Sequence, residues 1–166
     1  MATVTRLRVG FTAVALGVLS GCVSAPKELP PLDATRFGLS ACEPSVMEDC
    51  RRIADKTFHS IGPRQVEYHA PDGRVFLWVG DKIVRGYWGI HPKRGLISGT
   101  NICYLYEGEI TAECSPLGNK GDGGVNVRDG DPYELATRSA PPYNLRDLPA
   151  FAGSFDVVDA RLNEVR

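Results

Sequence analysis

The sequence predicts a mainly β (α+β) domain: a small antiparallel barrel or half-barrel with one N-terminal amphipathic helix, stabilised by disulfides. Three observations predict it. The 166 residues include 18 Gly and 12 Pro, a turn-rich composition that suits short strands better than a helical bundle. The clearest period-two stretch, on either side of Gly80-Asp81, is apolar on both faces, whereas a free-standing sheet with one wet face needs only one. Five cysteines, one of them at the end of an apolar leader, leave an even set of four for bridges.

The chain begins with Arg6 and Arg8, then an apolar run over residues 9–19 (VGFTAVALGVL), then small residues. That run of about eleven residues is too short for a bilayer core, which takes roughly 20. Residues 1–21 therefore read as a signal peptide and not as a permanent helix. A plain secretory signal gives cysteine no role, whereas here Leu19, Ser20 and Gly21 lead directly into Cys22. These four residues resemble the lipobox of bacterial lipoproteins. The resemblance implies cleavage before Cys22, a diacylglyceryl thioether on its sulfur and an acylated amine, so that membrane lipid is the first expected partner. Several acyl chains, at roughly 0.8 kcal/mol per buried methylene, anchor far more firmly than one. Val23, and not Asp, follows the cysteine, which implies the outer membrane, with the domain facing the periplasm.

In that oxidising compartment Cys42, Cys50, Cys103 and Cys114 are the disulfide candidates, and four cysteines allow three pairings. Local pairing is the simplest. A four-residue turn over 107–110 sets Cys103 directly opposite Cys114 on antiparallel strands; a two-residue turn at Glu107-Gly108 would set it opposite Ala112. A Cys42–Cys50 bridge would pin a helix to its entry loop. Neither spacing is the Cys-x-x-Cys kind used by thiolate zinc sites, so no metal is expected there.

Two of the 19 basic residues fall in the signal peptide, against 20 acidic residues, so the mature charge is about −3. With no basic block, nucleic acid is not an expected partner. Residues 22–41, with Pro26, Pro30 and Pro31, read as a lipidated cysteine and an extended tether. The globular domain is expected over 42–138. Ser45-Val46-Met47-Glu48 matches a capping box, and Val46, Cys50, Ile53, Ala54 and Phe58 recur at spacings of three and four, which predicts a helix over 45–58 ended by Gly62-Pro63. Val66 and Tyr68 then alternate with polar neighbours, and Pro71-Asp72-Gly73 forms a turn. Residues 74–79 and 82–88 form a hairpin in which a two-residue loop pairs Leu77 with Val84 and Trp78 with Ile83. Val75, Leu77, Val79, Val84 and Trp88 share one face; Arg74, Phe76, Trp78, Ile83, Arg85 and Tyr87 share the other. Either a barrel or a helix packed on the second face satisfies this pattern. Further strands at 101–106, 111–114 and 124–128 favour the barrel, with Gly86 at a bend or bulge. Residues 139–166, with Pro141, Pro142 and Pro149, read as irregular.

No stretch carries a catalytic pattern. Gly95-Leu96-Ile97-Ser98-Gly99 places its serine one position late for a nucleophile elbow. Asn119, Asp122, Asn126, Asp129, Asp131 and Glu134 do not follow the ligand order of a calcium loop, and Gly121-Asp122-Gly123-Gly124 lacks the strand and helix of a phosphate cradle. Of His59, His69 and His91, only His69 has flanking carboxylates; Glu67 shares its strand face and makes a two-ligand metal site conceivable. Arg74, Phe76, Trp78, Arg85 and Tyr87 form the one candidate ligand face, suited to an apolar or anionic molecule through stacking and cation–π contact.

Tyr68, Gly73, Trp78, Gly86-Tyr87-Trp88, Cys103-Tyr104-Leu105-Tyr106, Cys114 and residues 130–138 (GDPYELATR) are similar to a family of small alphaproteobacterial envelope proteins of unknown function. That family carries a Gly-x-Trp strand, a Cys-aromatic-x-Tyr strand and a later Gly-Asp-Pro-aromatic-x-Leu-Ala segment. The resemblance implies a single β-rich domain with a Cys103–Cys114 bridge, and it brings no activity and no functional residues. The expectation is a lipid-anchored binding or interaction module without a cofactor, its partner an envelope protein or a small apolar ligand. The alternatives are a small metal-dependent hydrolase using Glu67 and His69, or an inhibitor of an envelope protease.

Overall fold

The computed structural model describes Cys42 and residues 44–60, 64–93, 99–119, 125–148 and 154–165. The expected signal peptide, Cys22 and the expected tether lie outside these residues, as do Gly62-Pro63, residues 94–98 and the glycine cluster at 121–124. Seven strands form one antiparallel sheet: β1 Lys56–Ser60, β2 Gln65–His69, β3 Arg74–Val79, β4 Lys82–Pro92, β5 Thr100–Tyr106, β6 Glu113–Pro116 and β7 Val125–Asp129. The first six follow one another as a meander, and the chain then returns to lay β7 against β1. β6 and β7 are therefore the two edges, and the sheet does not close into a barrel.

Turn chemistry and alternation fix the central register. Leu77 faces Val84 and Trp78 faces Ile83, with Gly80 in the left-handed region at φ +57°, as a two-residue loop requires. Cys103 faces Cys114, the register of a four-residue turn over 107–110. Both local bridges form, with Cα atoms 4.0 Å apart in Cys103–Cys114 and 6.0 Å apart in Cys42–Cys50.

The helix is shorter than its apolar spacing predicts. A 3-10 turn, Pro44–Val46, leads into α1, Met47–Ile53, and no side chain caps the N-terminus, so the capping box does not form. The helix stops because Asp55 turns left-handed at φ +55° and donates its N–H to the His69 carbonyl, which starts β1. Phe58 is thus a strand residue. The C-terminal segment is also more ordered than its prolines suggest: α2, Phe155–Val165, buries Phe155, Val158 and Leu162. Among the described residues no helix is long and apolar enough to cross a membrane.

Each face of the sheet has its own core. On one, Val46 of the 3-10 turn and Cys50 and Ile53 of α1 pack against Phe58, Val75, Trp88, Ile90 and Ile102. On the other, the chain after β7 lays Tyr133, Leu135, Tyr143, Leu145, Leu148, Phe155, Val158 and Leu162 over Val66, Tyr68, Phe76, Trp78 and Ile83. The two-faced apolar pattern is satisfied by covering both faces of an open sheet, not by closing it.

Candidate functional site

The α1 face carries the one strongly polar constellation among its core residues. Glu67 and His69 lie two apart on β2, and Tyr104 and Tyr106 two apart on β5, so period-two geometry points all four to the same side. His69 Nε2 lies 3.2 Å from Glu67 Oε2 and 3.0 Å from the Tyr104 hydroxyl. The Tyr106 hydroxyl donates to Glu67 Oε1. Two strands, β3 and β4, separate β2 from β5, which is about 14 Å across three interstrand gaps. Strand side chains stand roughly perpendicular to their sheet, so these contacts require the sheet to coil toward the α1 face. Coiling alone does not complete the reach. A Cβ on Gly86, which is paired with Tyr106, would sit 2.5 Å from the Leu105 carbonyl oxygen and 2.9 Å from Tyr106 Cα. Gly86 therefore marks a close approach of β5 to β4, and not the barrel corner its position in the strand suggests.

Aromatic rings enclose the imidazole. Phe58 and Trp88 meet it edge-on, with centroids 4.9 and 5.4 Å away, and Tyr104 stacks on Tyr106 at an interplanar angle of 4°. Burial, followed by the Glu67 carboxylate beside it, pushes the Tyr106 hydroxyl far above the usual phenol range, so it stays a proton donor at any physiological pH. His69 has no exposed surface and Glu67 almost none. Both carboxylate oxygens are already engaged, and the group ties β2 to β5 as a buried polar cross-brace. Among the described residues no three His, Cys, Asp or Glu side chains gather as a metal set. The Tyr104-x-Tyr106 half of the cluster has a sequence signal that matches Glu67-x-His69, the same period two, but only a coiled sheet brings the two halves together.

Of the expected aromatic ligand face, Phe76 and Trp78 form part of the inner wall of the second core. Trp78 has no exposed surface, its indole N–H donates to the Gly80 carbonyl, and its ring lies 4.9 Å from Tyr143 and 5.8 Å from Tyr133. Phe76 is buried in the same layer, while Tyr87 packs with Cys103 and Leu105. Arg74 pairs with Asp72 at 2.7 Å, and Arg85 donates to the Arg138 carbonyl at 2.8 Å. The segment after β7 thus covers Phe76 and Trp78, while Tyr87 lies outside that core.

Asp129, Asp131 and Glu134, the acidic residues of the calcium-like stretch that are among the described residues, each have a partner within the domain. Asp129 pairs with Lys56 and Glu134 with Arg138. Asp131 accepts the N–H groups of Leu135 and Ala136 at 2.8 Å each, closing the turn that carries Tyr133; burial raises its pKa even against these two bonds. His59 is buried at 2% exposure under α2, with its ring 5.4 Å from Phe155. Compared with models of protein families, with curated proteins and with solved structures, the chain finds no match.

Proposed function

We propose that the chain is a lipoprotein anchored in the outer membrane and facing the periplasm, whose domain acts as a binding or interaction module and not as a catalyst. The observation that carries the reading is the odd cysteine: Leu19-Ser20-Gly21-Cys22 closes the leader, and the other four cysteines are paired with one another in two bridges. Disulfide-bonded domains belong to oxidising compartments, which supports the envelope address. Side chains fill both faces of the sheet, which favours a protein partner over a small molecule held inside the fold. A hydrolase built on Glu67 and His69 would need its substrate to reach an imidazole with no exposed surface, and this geometry favours binding over catalysis.

The test is fractionation of cells making the full chain, with labelled palmitate in the medium. The wild-type protein should pellet with outer membranes and carry label. Cys22→Ser should be unlabelled and recovered in the soluble fraction. A Cys22→Ser protein that stays membrane-bound to the same extent would remove the anchor from the proposal.

A further inference from the structure

The hairpin between β5 and β6 exposes Ile110 at 91%, about twice the exposure of Met47, Val127 or Val165, the other exposed large apolar side chains among the described residues. A single exposed apolar residue is ordinary on a protein surface. Three further features set this one apart. The turn is braced: the Cys103–Cys114 bridge closes its base, Glu109 Oε2 accepts the Tyr106 N–H at 2.9 Å, and the Glu107 N–H reaches the Arg85 carbonyl at 2.7 Å. The tip is uniformly acidic: Glu107, Glu109 and Glu113 are exposed, form no ion pair among the described residues, and have no Lys or Arg within residues 106–119. Finally, a recess of about 150 Å³ opens on the flank of the same turn, lined by Gly86, Tyr87, Leu105 and Tyr106 beside Glu107 and Glu109.

We infer that this tip is a docking knob for a protein partner that offers an apolar pocket rimmed by Lys or Arg side chains. Ile110 enters the pocket, the three glutamates face the basic rim, and a partner side chain enters the recess beside the turn. A knob that is ordered before binding loses little freedom on docking, which is what the bridge and the Glu109 contact provide. Opposed charge steers the encounter and fixes its orientation. The same three carboxylates disfavour an anionic lipid surface, so the membrane is not the occupant. A second copy of this chain is also a poor match, because without residues 1–21 it carries 17 basic against 20 acidic residues and offers the acidic tip no basic excess. This inference rests on the interaction-module reading and names the surface and partner chemistry for it.

Photo-crosslinking of the full chain in its own envelope, with p-benzoylphenylalanine in place of Thr111, tests it. The expected result is one adduct with a different protein that falls at least about tenfold with Ile110→Asp and with Glu109→Lys combined with Glu113→Lys. It should also weaken several-fold in membranes assayed at about 0.5 M salt against about 0.05 M, where surface charge is screened. The adduct alone is not support; its dependence on Ile110 and on the two charges is. An adduct indifferent to these variants, an adduct with a second copy of the chain, or no protein adduct overturns the inference. Membrane pelleting is scored in the same cells and should not respond to Ile110→Asp. Failure of the wild type to pellet, with the adduct intact, would count against the Cys22 anchor and not against the tip.

Discussion

His59 and His69 lie on opposite faces of neighbouring strands, and their surroundings give them different roles. His69 Nε2 is within bonding distance of a carboxylate and a phenol. His59 is almost equally buried, its ring lies 5.4 Å from that of Phe155, and burial lowers its pKa below the usual 6.5. The sign of the consequence follows from linkage. Above about pH 6.5 the imidazole is neutral in the folded and unfolded chain and adds no pH dependence. As pH falls through that value, the unfolded chain gains a proton that the folded chain resists, so stability declines toward acid by up to about 1.4 kcal/mol per pH unit while the difference lasts. Other groups titrate in the same range, and a difference measurement isolates this one. The urea stability of wild type minus that of His59→Phe should be constant between about pH 7 and 8 and fall steadily below about 6.5. A difference that stays level down to about pH 5 would mean that His59 does not sense the proton.

At the scale of elements, the pairing of β4 with β5 shows how one missing side chain sets a whole strand. Gly86 lets the Leu105 carbonyl and the Tyr106 backbone come closer than a Cβ allows, and Tyr106 then reaches Glu67. Gly86→Ala should push β5 outward, break the Tyr106–Glu67 bond and cost about 2 kcal/mol, as overpacked core positions do. Thermal unfolding reads the loss; a melting temperature within about 1 °C of wild type would show that the strand gives way without cost. The legible elements are those with local signals. The β3–β4 register follows from alternation around a two-residue loop, and the Cys103–Cys114 register from a turn length. β1 is hidden because it is buried on both faces: Thr57 and His59 are covered as fully as Phe58, so no alternation survives in the sequence, and Phe58 happens to continue a helical spacing from Ile53 and Ala54. α2 has a readable stripe in Phe155, Val158 and Leu162, but the prolines before it mask the change of period. Contacts spanning several strands, such as His69 with Tyr104, have no local signal at all.

At the scale of the whole molecule, the sheet is the middle layer of three. Its two faces need different covers, and the chain supplies them from opposite ends: α1 with its Cys42–Cys50 staple from the N-terminal side, and the segment after β7 from the C-terminal side. The prolines of residues 139–166 read as an irregular segment, whereas the described residues of this stretch pack as part of a core. Tyr143 donates to the Val158 carbonyl, Leu145 donates its N–H to the Gly80 carbonyl at the β3–β4 turn, and Arg128 on β7 ties α2 down through Asp159 at 2.6 Å while lying 4.6 Å from the Phe155 ring. Ending the chain after Arg138 would strip Tyr143, Leu145, Leu148, Phe155, Val158 and Leu162 from Trp78 and its neighbours. At about 1.5–3 kcal/mol for each large side chain returned to water, the loss is as large as the roughly 5–15 kcal/mol that holds a typical domain together. The truncated chain should therefore show no cooperative urea transition, and the emission of Trp78 should shift to the red as its cover of Tyr133 and Tyr143 loosens. A truncated domain that still unfolds cooperatively, within about 1 kcal/mol of the full chain, would show that the sheet and α1 stand without their second cover and that the tail is an appendage.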